Sequence, residues 1–555
     1  MDKSVIKKIR DVRVYGKGSI GGKGAGIIKI NESNIPNTHK LSTRILAASF
    51  FSKFKDNRGR LDKEDLEILS TVLETLENIP ISVRSSATNE GFLPANRAKK
   101  IRAGENTSFM LPNNHANFSC RLNQLKQAIY HIYNDFITQQ QPESQEEMAI
   151  VINPIPGIFE DTLAGPVYYP LVSGVANSFS PYALKIQDPN EGFARVAFGH
   201  GYATVLDDFP VISMSTIKNP IPLRFLKYGN SQHFFYAIDM TKNKELKGNE
   251  METMKKLHIK FADFHKISLL GGLKNMVSLE EIIQNNRYGF RSCLTKIMES
   301  ISAKISSHFQ IEFVFNPNFK DPGQNNNNFH VVQLTQLPEK KITPVRIPKQ
   351  VKHTYLSINN LQGQGVKRGL THAIVVSPFT YSKNKHDDVK HSISSINRKL
   401  KEKNEKFILI VPGRLGSKNR DWGIFVDYQD VNGTVAIFEY GVDIAGRPEP
   451  LPEEENLSGG IYGSHFLYMI QGGFDEEQKK YQTRMYGTQG THFLTNLMST
   501  NTIYGYIIPD EDTIDPWFFT LSKSGQAVNI LTFPKHVNIY ADSLTQKCVI
   551  ASVYK

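Results

Sequence analysis

Four stretches of the chain hold residue types that could manage a phosphate group or its metal. Ile81-Ser82-Val83-Arg84 reads as a short buried strand that delivers a guanidinium at its end, with Ser85, Ser86 and Thr88 placing hydroxyls beside it. A planar group with five donors suits phosphate oxygens. Upstream, Gly18-Ser19-Ile20-Gly21-Gly22-Lys23-Gly24-Ala25-Gly26 reads as a glycine-rich loop: its backbone N–H groups can approach an anion closely, and Lys23 adds a mobile charge over the same anion. Downstream, Ile311-Glu312-Phe313-Val314-Phe315 and Val331-Val332-Gln333-Leu334 are apolar runs with one polar residue each. A carboxylate in such a strand needs a cation or a metal to offset its desolvation. Each stretch also has an ordinary reading: a solvated turn, a plain loop, a structural ion pair.

The elements that must position these groups can be read from periodicity. Residues 43–54 predict an amphipathic helix, and residues 63–77 a second, with Leu66, Leu69, Leu73 and Leu76 at helical spacing; Pro80 then opens the Arg84 strand. From Ser119, Leu122, Leu125, Ile129, Ile132, Phe136 and Ile137 form one apolar stripe, which is core. Residues 147–154 predict a buried strand stopped by Pro154, and residues 165–205 a run of sheet. There Arg195-Val196-Ala197-Phe198 leads into Gly199-His200-Gly201, where His200 is either a loop histidine or part of a cover over phosphate. Helices are expected near residues 250–265 and 279–308. The asparagines at 325–328 predict an exposed hairpin tip between the Glu312 and Gln333 strands.

A chain of 555 residues allows two to four domains. Its 40% hydrophobic and 22% charged residues are those of a globular protein. Lys plus Arg outnumber Asp plus Glu by 66 to 54, a net charge of +12 that favours anionic partners without choosing among nucleotides, nucleic acid and other polyanions. Cys120, Cys293 and Cys548 are odd in number and scattered, which argues against a disulfide framework or a zinc ribbon. The charged start lacks a secretory apolar core, and no run is long and apolar enough to span a bilayer. A cytoplasmic protein without a membrane partner is the expectation.

In this order, the G-G-K-G-A-G loop, the V-R-S-S-A-T strand end, Ala103-Gly104 to Thr107, Ser173-Gly174-Val175-Ala176, Gly199-His200-Gly201 and the I-E-F and V-Q-L strands resemble the N-terminal ATP-binding domain of pyruvate phosphate dikinase and phosphoenolpyruvate synthase. Met110-Leu111-Pro112-Asn113-Asn114-His115 and Pro412-Gly413-Arg414-Leu415-Gly416-Ser417 further resemble phosphoenolpyruvate-synthase-like proteins that lack the pyruvate barrel. The resemblance implies an α+β chain: an ATP-grasp domain over residues 1–338, a linker over 339–352, and a smaller α/β domain over 353–555 that serves as acceptor or phosphohistidine-like module. It implies an ATP-dependent kinase or dikinase-like phosphotransferase using ATP and Mg2+. Gly22, Lys23 and Arg84 would hold phosphates with support from Thr107, the strand at Ile152 would offer backbone groups to adenine, and Glu312 and Gln333 would stand at the metal.

The C-terminal half does not carry the family's phosphohistidine sequence. Gly463-Ser464-His465-Phe466-Leu467 and Gly490-Thr491-His492-Phe493-Leu494 offer instead a histidine after a small hydroxyl residue, either packing groups or phosphoryl carriers, with His492 the better match. Arg414 among glycines is an anion-binding candidate. Residues 383–406 predict a basic helix. No stretch resembles the pyruvate barrel, so the phosphoryl acceptor is unidentified and not clearly pyruvate. The chain also departs from the family at Thr335, where an arginine is usual, at Gln310, the first acidic position of the metal pair, and at Tyr202, a glutamate position. Each departure removes a charge. The alternative is therefore a catalytically degenerate nucleotide-binding scaffold for a protein or nucleic-acid partner.

Overall fold

The computed structural model describes residues 5–33, 35, 38–88, 107–139, 146–179, 192–206, 209, 211–214, 232–241, 253–320, 328–337, 344–377, 380–381, 383–413, 415–416, 423–440, 500–507, 512–521 and 526–552. In chain order the first elements are β1 (Val5–Ile9), β2 (Val12–Tyr15), α1 (Gly21–Glu32), β3 (Thr43–Leu46), α2 (Ala48–Asp56), α3 (Lys63–Glu74), β4 (Ile81–Ala87), β5 (Ser108–Leu111), α4 (Phe118–Gln139) and β6 (Met148–Pro154). Their strands form one sheet in the order β1-β2-β3-β6-β4-β5. From Met148 to Ile152 β6 reads as an apolar run because both its faces are covered. Ile150 and Ile152 point into a core shared with α2, α3 and α4. Val151 points the other way, against Ile27 and Ile28 of α1.

The chain continues through β7 (Ile158–Thr162), β8 (Gly165–Tyr169), β9 (Val172–Asn177), β10 (Phe193–Phe198), α5 (Tyr202–Leu206), β11 (Ile212–Met214), β12 (Phe234–Asp239), β13 (Met254–His258), α6 (Phe264–Leu270), the small hairpin β14 (Gly272–Leu273) and β15 (Met276–Val277), α7 (Glu280–Ile283), α8 (Phe290–Ser302), β16 (Phe309–Asn316) and β17 (Asn328–Gln336). One sheet runs β11-β10-β9-β16-β17 and another β13-β12-β8-β7. Their shared core also takes in Ile30 of α1, so this helix lies between the first sheet and the β9-β16-β17 sheet.

The remaining strands make a single nine-stranded mixed sheet: β18 (His353–Ile358), β19 (Asn360–Gln362), β20 (Gly365–Val376), β21 (Phe407–Pro412), β22 (Thr434–Tyr440), β23 (Ile503–Tyr506), β24 (Thr513–Ile514), β25 (Val528–Asp542) and β26 (Lys547–Ser552). Its β20-β21-β22-β23 portion is parallel. A helix forms where a basic one is expected, α9 (His386–Glu402), and its Val389, Ile393 and Leu400 cover one face of the sheet. The chain is thus α+β in class.

Several local expectations are corrected. The glycine-rich segment is not a loop: from Gly21 onward it is the first turns of α1, pinned to β4 by Ser86, whose hydroxyl donates to the Ile20 carbonyl at 2.9 Å and accepts from the Gly24 N–H at 3.1 Å. Residues 43–54 are not one helix, because Thr43–Leu46 is taken into the sheet between β2 and β6 before α2 begins. Pairing with β6 likewise carries β4 past Arg84 to Ala87, so the arginine is internal to its strand. The segment near 250–265 is strand β13 and a short 3-10 turn, since Met254–His258 pairs along β12. The helix expected over 279–308 is broken between α7 and α8, where Asn286, Tyr288 and Gly289 take left-handed conformations. The asparagines at 325–327 lie outside the described residues. Among the described residues, no helix is long and apolar enough to cross a membrane.

Candidate functional site

The cleft between the first sheet and the β9-β16-β17 sheet brings together groups that lie far apart in the chain. Lys23, Arg84, His200, Gln310, Glu312, Gln333 and Thr335 all line it. The space between its walls is about 1210 Å3 with the open solvent at its mouth included.

Strand geometry explains how one wall is built. Along β16, Gln310, Glu312 and Val314 alternate onto the cleft face, as period two demands. β17 runs antiparallel beside it, with Thr335 opposite Gln310 and Gln333 opposite Glu312. The register then slips, so that Phe313 faces Val331 and Val332 is the extra residue of a bulge. Such a bulge re-aims side chains, and here the consecutive residues Val332 and Gln333 both reach the cleft.

The other wall supplies the cations. Arg84 Nη2 donates to Glu312 Oε2 at 2.8 Å and to Gln333 Oε1 at 2.6 Å, tying β4 to both strands opposite. The remaining guanidinium nitrogens, Nε and Nη1, make no hydrogen bond among the described residues. Lys23 sits in the first turn of α1, buried, with Nζ 3.4 Å from Ser85 Oγ. Gly21 makes this docking possible: its φ is +65°, and a Cβ there would stand 1.9 Å from the Ser86 carbonyl oxygen.

His200 closes the third side. Its Nδ1 accepts the Tyr202 N–H at 3.2 Å, which fixes the neutral ring with its proton on Nε2. Burial first, and then the charge of Arg84, pull its pKa from 6.5 down to about 4, against a smaller opposing pull from Glu312. At neutral pH the cleft therefore carries two cations and, among its described lining residues, one carboxylate.

Not every residue singled out from sequence lies here. Gly22 is buried in α1. Thr107 does not line the cleft, and its hydroxyl donates to Asp135 Oδ2 of α4 at 2.5 Å. Ile152 is paired on both sides, to Arg44 and to Val83, with its side chain in the core. The strand meets the cleft one residue later, at Asn153, Pro154 and Ile155. His465, His492 and Arg414 lie outside the described residues. The fully buried Glu439 accepts the N–H of Leu415, the next residue in sequence after Arg414, at 2.6 Å. Sequence reading missed Asn153 and Glu439, and in each case a lone polar residue inside an apolar run was the available signal.

The residues at the departures from the family pattern are neutral and engaged with neighbours. Gln310 Nε2 donates to Asn177 Oδ1 at 2.9 Å, and Thr335 Oγ1 accepts from Gln333 Nε2 at 3.0 Å. Among the described residues no three His, Cys, Asp or Glu side chains cluster as a metal site. Mg2+ is commonly held by one or two carboxylates together with substrate phosphates; the described lining of the cleft offers one carboxylate, Glu312, and Arg84 Nη2 occupies its Oε2 together with Gln333 Oε1. No known family model matches the chain, and no curated protein matches it.

Proposed function

We propose that this cleft binds ATP and that the protein is an ATP-dependent phosphotransferase of the pyruvate phosphate dikinase and phosphoenolpyruvate synthase type, with an ATP-grasp N-terminal half. The observation that carries the reading is the convergence of Lys23, Arg84, Glu312 and Gln333 on one cleft between two sheets. Phosphoryl transfer depends on positioning and charge neutralisation more than on covalent help. Lys23 and the unengaged edge of Arg84 would hold phosphate oxygens. Glu312 and Gln333 would hold Mg2+, which supplies charge stabilisation at the phosphates, once Arg84 Nη2 exchanges their oxygens for phosphate. His200, neutral with a proton on Nε2, would donate to an oxygen without adding charge. The acceptor belongs to the C-terminal half in this reading, with His465 and His492 as candidate carriers.

Incubating the full chain with Mg2+ and labelled ATP, then separating nucleotides and acid-labile phosphoprotein, tests the proposal. Release of AMP or ADP that depends on Lys23 supports it. Nucleotide binding without turnover across an acceptor screen supports the second reading, a degenerate nucleotide-binding scaffold. That reading is favoured by one specific feature: Gln310 and Thr335 put neutral groups, bonded to Asn177 and Gln333 in turn, where the family carries charge, and loss of a transition-state cation commonly costs orders of magnitude in rate.

A further inference from the structure

Asn153 is 2% exposed, yet among the described residues its Oδ1 has no hydrogen-bond donor. Its Nδ2 likewise makes no hydrogen bond among the described residues. Buried polar groups are satisfied in the great majority of cases, so an orphaned amide in a cleft wall calls for a partner that arrives with a ligand. The residue sits on β6 opposite Ser82, on the face that also carries Arg84, whose partner on β6 is Val151. Two residues of strand, about 7 Å, thus separate the amide from the backbone position of Arg84, whose side chain extends across the cleft to Glu312. Anion-binding and amide groups are spread along one ligand-sized line.

On the cleft side the amide has Ser82 opposite it and several apolar neighbours. Leu41 and Val332 line both the cleft and a smaller space under α1, and Asn153 lines both as well, so the three stand together on the partition. Pro154 and Ile155 follow along the strand. Apolar walls beside one primary amide suit a flat heteroaromatic ring that presents a donor next to an acceptor. Adenine does so at N6–H and N7, the edge that an asparagine amide reads in bidentate fashion. A 6-oxopurine offers two acceptors at the same edge and would face Oδ1 with a lone pair.

We propose that the Asn153 side-chain amide is the base-reading group of this cleft and makes it selective for a 6-aminopurine nucleotide, with Oδ1 accepting from N6–H and Nδ2 donating to N7. The assignment rests on the nucleotide reading above. It is tested by equilibrium binding of ATP, ITP, 7-deaza-ATP and inorganic tripolyphosphate to the full chain and to its Asn153→Leu and Asn153→Asp variants. Wild type should bind ATP at least about ten-fold more tightly than ITP and 7-deaza-ATP. Asn153→Leu should erase these ratios while tripolyphosphate binding is unchanged, and Asn153→Asp should bind ATP and 7-deaza-ATP alike. Equal binding of ATP, ITP and 7-deaza-ATP by wild type overturns the base-reading role while leaving a triphosphate site in place, as does a ratio that survives Asn153→Leu, the result expected if a bound water satisfies the amide. Binding of none of the four probes overturns both this assignment and the nucleotide reading. Where the leucine variant fails to fold, the wild-type ratios and the aspartate variant still decide.

Discussion

Arg84 Nη2 stands 2.8 Å from Glu312 Oε2 across 228 positions of sequence, and both side chains are largely buried. This contact, doubled by the bond to Gln333, ties the two sheets that form the cleft. Breaking a fully buried pair costs roughly 3–5 kcal/mol, and some residual exposure lowers the figure here. Arg84→Ala should therefore destabilise by about 2 kcal/mol. The Arg84→Ala/Glu312→Ala double variant should be less destabilised than the sum of the singles, because the carboxylate no longer loses its cation. Denaturant unfolding of the four proteins measures the coupling, and strict additivity would mean that the pair does not hold the sheets.

His200 and His330 set an acid limit on stability. Burial holds both well below the ordinary 6.5, at about 4, with the charge of Arg84 adding to the effect at His200 and that of His39 at His330. Between those values the unfolded chain binds protons that the folded chain refuses, so stability is full above pH 6.5 and falls as the pH drops towards 4. Denaturation midpoints at pH 7 and 4.5 should show a smaller loss in His200→Gln than in wild type. An identical loss would remove His200 from the explanation.

Gly21→Ala should be far more damaging than Gly24→Ala. At Gly21 the left-handed φ and the Ser86 carbonyl, a backbone group that cannot move aside, both oppose a side chain. At Gly24 the nearest atom to a new Cβ is the Ile20 Cβ at 3.3 Å. Thermal unfolding of the two variants gives the comparison, and equal midpoints would contradict the docking of α1 on β4.

In the nine-stranded sheet, Glu439→Ala should cost about 1–3 kcal/mol by stranding the buried Leu415 N–H. Glu439→Gln keeps an acceptor and should recover part of that loss. Unfolding followed by Trp517 fluorescence would report it, and a neutral alanine variant would show that water replaces the carboxylate.

The stripe of α4 and the apolar run of β6 were legible in sequence because each follows from a local pattern. The glycine segment misled because the forces that make it helical are not local: Ser86, more than sixty residues away, supplies the bonds that fix its first turn. Thr43–Leu46 went the same way, since a strand on each side overrode its helical pattern. Lys23, Arg84, Glu312 and Gln333 could be picked out as polar intrusions in apolar or glycine-rich runs. The bulge at Val332 and the orphaned amide of Asn153 depend on register and packing, which no single stretch reveals.

The most direct test of the nucleotide reading is calorimetric titration of Mg2+-ATP into the full chain beside its Lys23→Met variant. The account predicts saturable binding by wild type and at least about ten-fold weaker binding by the variant, the effect of removing one charge-assisted contact, with the fold of both intact. Absent binding in wild type, or equal affinity in the two proteins, would contradict it.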